Sequence, residues 1–293
     1  IFMSECNYLF IGSISRATII DDMGTLQQMS IANALNANVY GNSSTTLVLA
    51  HGFGLDQSVW RFLVPYLAIY FKVLVFDLAF SPTVKPGFYD PKRHSSFQGY
   101  ATDLVNLLDE LHESNVTYMG HSMSGMVGVL ASIKRPDLFQ HITLLNSSPR
   151  YINSKGYVGG FEREQLKEII LAMRKDYLGW VKGFAPTAVG AKNTMAVDEF
   201  SKSLGRMDPK IAVRTAKMIF FSDFRNTLPL LKISSTILQS EKDPVVPIEV
   251  PFYMSKRINV PAIVQILQNE GHIPMITDYL LMFNALRSVQ VIR

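Results

Sequence analysis

Cysteine is almost missing from this chain: Cys6 is the single one, so no intramolecular disulfide can form. That excludes the small disulfide-stapled scaffolds of secreted proteins and fits a reducing compartment. Runs of like charge are missing as well. The 28 basic and 24 acidic residues leave a net charge of +4, and their dispersal along the chain gives none of the basic patches that grip nucleic acid. No stretch approaches the roughly 18 uninterrupted apolar residues that read as a membrane span. Neither a metal-ligand cluster nor a glycine-rich dinucleotide loop is visible, so no cofactor or metal is expected. What the chain does have is 48% hydrophobic and 18% charged residues over 293 positions. This is enough apolar material for a sizeable core, and the expectation is a soluble cytosolic monomer.

The chain opens on Ile1, and methionines at 3, 23 and 29 leave the start of translation open. Residues 8–14 are partly apolar, but Glu5 precedes them without a basic leader, so a signal peptide is not expected. Residues 1–30 show no sustained periodicity and read as a poorly ordered N-terminal extension. The working domain is expected over residues 31–293.

Within that domain, short β-branched apolar runs at 46–50, 72–76, 116–119, 141–145, 235–239 and 262–267 alternate with helical patterns. Such runs read as buried parallel strands, and their order predicts a doubly wound, mostly parallel α/β sheet. Residues 150–231 interrupt the alternation with helical spacing and no strand-like run. They are the candidate lid, expected to hold four helices: one over 161–183, others near 196–204 and 211–221, and a short piece ending before Pro229.

The most specific motif is Val116-Thr117-Tyr118-Met119-Gly120-His121-Ser122-Met123-Ser124-Gly125, a strand that runs through a tight turn into a helix. A serine at the apex of such an elbow is exposed for attack, and its neighbours two residues away must be small because strand and helix nearly collide there. Gly120 and Ser124 meet that demand, Ser124 standing where a glycine is usual. The fold is therefore expected to be that of an α/β-hydrolase, with Ser122 as nucleophile. A serine at this position also excludes the aspartate-nucleophile chemistry of dehalogenases and epoxide hydrolases.

In this fold the acid and the histidine follow the serine in that order. Of the six histidines, only His272 lies beyond the fifth and sixth strands, in a glycine-flanked loop, and it is the expected general base. His121 is an elbow neighbour, while His94, His112 and His141 read as surface or strand-end residues. Asp243, in Glu241-Lys242-Asp243-Pro244, is the expected acid that orients the imidazole, with Glu241 as its rival. The oxyanion donors are expected to be the backbone N–H groups of Phe53, in His51-Gly52-Phe53-Gly54, and of Met123. Asn42, Asn115 and Asn146 head glycosylation-like triplets that are read as incidental.

From about residue 34 onward the chain resembles the plant strigolactone and karrikin receptor hydrolases of the DWARF-fourteen type. The resemblance rests on His51-Gly52-Phe53-Gly54 with Asp56-Gln57-Ser58-Val59-Trp60, on Arg135-Pro136-Asp137-Leu138-Phe139, on Ser148-Pro149-Arg150-Tyr151, and on Gly159-Gly160-Phe161-Glu162. Phe184-Ala185-Pro186 and Ser222-Asp223 continue it through the lid. Asp77-Leu78-Ala79-Phe80-Ser81-Pro82 departs from the better-known receptors and, with the elbow, is most similar to the receptor-like third paralogue branch.

The resemblance implies a slow serine esterase that opens small apolar butenolide lactones beneath a four-helix lid. It implies that Phe53, Trp180, Phe184, Phe200 and Phe220 line the pocket, and the departure at 77–82 leads to the expectation that Phe80 narrows it. It also implies ligand-dependent recruitment of an F-box protein and a repressor, in the cytoplasm and also the nucleus. Two other outputs stay open: a ligand-binding signalling protein in which hydrolysis is incidental, and a general carboxylesterase.

Overall fold

The computed structural model describes residues 18–20, 26–28, 30–190, 192–289 and 291–292. Strands β1 (Thr18–Ile20) and β2 (Leu26–Gln28) pair antiparallel as a two-stranded ribbon. Apart from them and Ser30, the expected N-terminal extension lies outside the described residues.

The main sheet has seven strands in the order β3-β5-β4-β6-β7-β8-β9. They are β3 (Asn38–Tyr40), β4 (Thr46–Ala50), β5 (Lys72–Phe76), β6 (Val116–His121), β7 (Phe139–Leu145), β8 (Ser235–Lys242) and β9 (Ala262–Glu270). Every neighbouring pair is parallel except β3 with β5. Residues of β4 and β6 are buried throughout, as expected of strands covered on both faces, and this is why they read as continuous apolar runs. The helices outside the lid are α1 (Ile31–Ala34), α2 (Val64–Leu67), α3 (Phe97–Glu110), α4 (Met123–Lys134), α9 (Glu249–Arg257), α10 (Pro274–Thr277) and α11 (Tyr279–Ser288). Strand β3 goes beyond the six strands read from the sequence. Its three residues are exposed on the sheet edge, so they carry no apolar pattern to read.

The lid consists of α5 (Arg163–Lys175), α6 (Tyr177–Val189), α7 (Thr194–Gly205) and α8 (Pro209–Phe220). The single helix expected over 161–183 is two. Asp176 leaves the helical conformation at φ −151° and ψ 91°, and its carboxylate accepts the Gly179 N–H to start α6, a side-chain cap that ends one helix and begins the next. The short fourth piece is a 3-10 turn, Leu228–Leu230, outside the lid helices. Two ion pairs fasten α7 to the base: Arg206 with Asp56 at 2.7 Å, and Arg61 with Glu199.

His94, read as a surface residue, is 1% exposed. Its ring pairs with Asp103 at 2.8 Å and stacks on Tyr89, which supplies the polar partner a buried imidazole needs.

Candidate active site

The loops leaving the carboxyl ends of β4, β6, β8 and β9 converge below the lid, the place where open parallel sheets hold ligands. Between β6 and α4 the chain turns at Ser122 with φ 56° and ψ −122°, a left-handed conformation that costs a non-glycine residue roughly 1–3 kcal/mol and persists only where its surroundings enforce it. They do so by close packing. A Cβ on Gly120 would lie 2.4 Å from the Ser124 backbone, which is why this position must be glycine. Ser124 itself is fully buried and donates its hydroxyl to the carbonyl of His51 at 2.5 Å. The serine that replaces the usual glycine thus ties α4 to the loop after β4.

Ser122 Oγ donates to His272 Nε2 at 2.9 Å, and His272 Nδ1 donates to Asp243 Oδ2 at 2.7 Å. The Asp243 side chain is wholly enclosed. Its Oδ1 accepts the backbone N–H groups of Val245 and Val246 at 2.8 and 3.1 Å, which fixes the carboxyl group in the loop and leaves Oδ2 for His272. The structure brings Asp243 to the histidine and leaves Glu241 exposed at the strand end. A hydroxyl, an imidazole in a fixed tautomer and a buried carboxylate in this line can move a proton off the hydroxyl as it attacks a carbonyl carbon.

The loop carrying Phe53 presses on the serine: a Cβ on Gly52 would meet Ser122 Cβ at 3.1 Å and His121 Nδ1 at 2.6 Å. Met123 is the first residue of α4, where helical N–H groups lack partners within the helix. The loop of Phe53 and the first residue of α4, the expected sources of the oxyanion donors, thus both adjoin Ser122. His51 anchors the loop from behind by accepting the Leu78 N–H at Nε2, 3.0 Å away. Complete burial holds its pKa below the ordinary histidine value.

His121 proves to be more than an elbow neighbour, since its Nε2–H donates to the carbonyl of His272 at 2.8 Å. Burial, assisted by the nearby His272, pushes its pKa well down, so it is neutral with the proton on Nε2.

The cavity above Ser122 is narrow, about 40 Å³. Phe53, Phe184, Phe200 and Phe220, all expected on its wall, are there. Leu55, Tyr151, Ala188, Ile219, Val245 and Ile273 join them; these had no sequence signal separating them from core residues. The Tyr151 hydroxyl is buried beside Ser122, and burial raises its pKa while the nearby Ser122 hydroxyl opposes the rise.

Two expected wall residues stand one layer further out. Phe80 is 2% exposed and packs edge-on against His51 and Phe53 at 5.7 and 6.0 Å, so it supports Phe53 and does not narrow the cavity. Trp180 stacks on Phe184 at 4.9 Å and does not itself line the cavity.

Residues 47–283 match the model of the alpha/beta hydrolase family. The chain is 42% identical to Karrikin insensitive 2 receptor CA of Petunia hybrida over 249 residues, 85% of this chain and 92% of that protein. It is 39% identical to Strigolactone esterase D14 of Arabidopsis thaliana over 252 residues, 86% of this chain and 94% of that protein. Among solved structures, a hydrolase from Oleispira antarctica superposes with a TM-score of 0.86 at 38% identity, covering 88% of this chain and 95% of that one. With the elbow, the Ser122–His272–Asp243 line and the lid in place, the chain belongs to the alpha/beta hydrolase family, in the group that holds the strigolactone esterases and karrikin receptors.

Proposed function

We propose that this chain is a serine hydrolase of small apolar butenolide-type lactones and esters, in which Ser122 is the nucleophile, His272 the general base and Asp243 the orienting acid. The observation that carries the reading is the unbroken hydrogen-bonded line from Ser122 through His272 to Asp243 at the floor of an aromatic cavity. Ser122 Oγ attacks the ester carbonyl while His272 Nε2 takes its proton, and Asp243 stabilises the resulting imidazolium. The N–H groups of Phe53 and Met123 face the oxyanion. Collapse breaks the acyl C–O bond, His272 returns the proton to the leaving oxygen, and water releases the acyl group by the same steps. The phenylalanine wall favours flat apolar acyl groups and offers few polar contacts to anything larger or charged.

A receptor role accompanies this reading, with the lid recruiting an F-box protein and a repressor in the cytoplasm and the nucleus. Its support is the likeness to proteins named as receptors and the attachment of His272 to the lid, since its N–H donates to Ala188 in α6 at 2.7 Å.

The test is hydrolysis of a fluorogenic butenolide ester by the wild type and by Ser122→Ala, with intact mass spectrometry of each. Turnover and an acyl adduct in the wild type, with at least a thousandfold loss (about 4 kcal/mol) in the variant, are expected. A folded wild type without turnover or adduct defeats the proposal. Pull-down of the partner with and without the ester separates a receptor from a general carboxylesterase.

A further inference from the structure

We propose that Asn146 is a positioning residue for His272, holding the backbone of the base so that its ring stays in line between Ser122 and Asp243. The inference rests on the hydrolase reading above.

Asn146 is the first residue beyond β7, fully buried, with φ 46°, a left-handed conformation that asparagine tolerates better than most residues. The last β7–β8 register pair is Leu145 with Leu238, and the Asn146 N–H still reaches the Leu238 carbonyl at 2.9 Å. Past that point β7 turns away, and the Asn146 side chain takes over. Its Oδ1 accepts the Ser240 N–H at 2.8 Å, which fixes the orientation of the amide, because a backbone N–H can bond only to the oxygen end. Both hydrogens on Nδ2 are then committed. One goes to Ser240 Oγ at 3.0 Å and the other to the carbonyl of His272 at 3.1 Å.

The His272 carbonyl has two lone pairs, and His121 fills the second site from the elbow side. The base is thus gripped by one donor from the nucleophile's own turn and one from the sheet end that leads to the acid. Nothing in the Ser122–His272–Asp243 line fixes the peptide of His272. These two donors and the Ala188 carbonyl do. A base displaced by a fraction of an ångström loses rate without losing substrate, because alignment acts on the chemical step.

The test compares Asn146→Gly, which accepts the positive φ without strain, with Ser240→Ala, which removes the other acceptor of Nδ2 and leaves its bond to His272. Two rates are read on folded protein: labelling of Ser122 by a fluorophosphonate, which needs the serine and its base but no particular substrate, and hydrolysis of the butenolide ester. Asn146→Gly is expected to slow labelling and kcat about tenfold with KM within about twofold, while Ser240→Ala stays within about twofold in both. Asn146→Ser, whose hydroxyl is too short to reach the carbonyl, should behave as the glycine variant does and serves if that one is unstable. Wild-type labelling rates in the Asn146 variants overturn the proposal, as does an equal slowing in Ser240→Ala, which marks the network as merely structural. A wild type that labels but spares the ester defeats the substrate reading alone, and the labelling comparison still decides the role of Asn146. A wild type that does not label overturns both.

Discussion

The backbone N–H of His272 donates to the carbonyl of Ala188 at 2.7 Å. Ala188 lies in the last turn of α6, where helical carbonyls have no partner within the helix, so the lid satisfies a carbonyl at its own end by holding the histidine. The preceding N–H, that of Gly271, donates to Lys242 at the end of β8. The loop that presents the imidazole is therefore suspended between a lid helix and the strand that leads to Asp243, and a shift of α6 is felt directly by the triad.

Gly271 makes that suspension possible. It sits at φ +101°, and a Cβ there would lie 2.2 Å from the Val189 carbonyl. Both the backbone strain and the collision fall on rigid main chain, which has no flexible side chain to yield. Gly271→Ala is expected to push α6 and the histidine loop apart, lowering kcat at least about tenfold and reducing Tm. Thermal melts and steady-state kinetics on the same preparation check it; a variant with wild-type kcat would show that the contact is not needed for alignment.

Asp243→Asn isolates charge from shape. The amide oxygen can still accept from Val245 and Val246, so the loop should persist. The amide nitrogen then faces His272 Nδ1, two donors meet, and the imidazole is driven to the tautomer that cannot take the Ser122 proton. A fall in kcat on the order of 10³–10⁴ with a nearly unchanged Tm is expected. Kinetics paired with calorimetry decide it, and a loss of tenfold or less would mean that Asp243 contributes little beyond packing.

Much of this site was legible because several short-range demands coincide: a strand, a tight turn with small residues at Gly120 and Ser124, a helix behind, and a histidine in the only loop late enough to serve. What escaped was set by tertiary layering. Periodicity told which face of α6 is apolar, and it could not tell that Phe184 reaches the cavity while Trp180 stacks behind it. Nor could it see the break at Asp176, because the apolar spacing from Leu166 to Trp180 continues across a cap made by one carboxylate. Strand β3 left no pattern because its residues are exposed. Asn146 carried a misleading signal, a glycosylation-like triplet whose asparagine is in fact spent inside the sheet.

The layering predicts a split between neighbouring aromatics. Phe184→Ala removes part of the wall facing Ser122 and is expected to raise KM for small apolar esters about tenfold, the value of one to two kcal/mol of lost apolar contact, and to admit bulkier acyl groups. Trp180→Ala removes only the backing of Phe184, so KM should change less than about threefold. A panel of esters of increasing acyl size distinguishes the two. Equal effects on KM would place Trp180 on the wall after all.

Two neutral histidines within the site make stability depend on pH. Burial lowers the pKa of His51 and lowers that of His121 further, whereas both side chains in the unfolded chain titrate near the ordinary value of about 6.5. Below that pH the unfolded state binds protons that the folded state refuses, so the stability these residues contribute is intact above about pH 6.5 and is lost as the pH falls toward their folded values. Each should lower the unfolding free energy by about 1.4 kcal/mol per pH unit over that window. Urea unfolding between pH 7.5 and 5 reads the slope directly: a steepening loss of midpoint below pH 6.5 is expected. A flat profile would mean that His51 and His121 take up protons in the fold, breaking the Leu78 contact that depends on an unprotonated His51 Nε2.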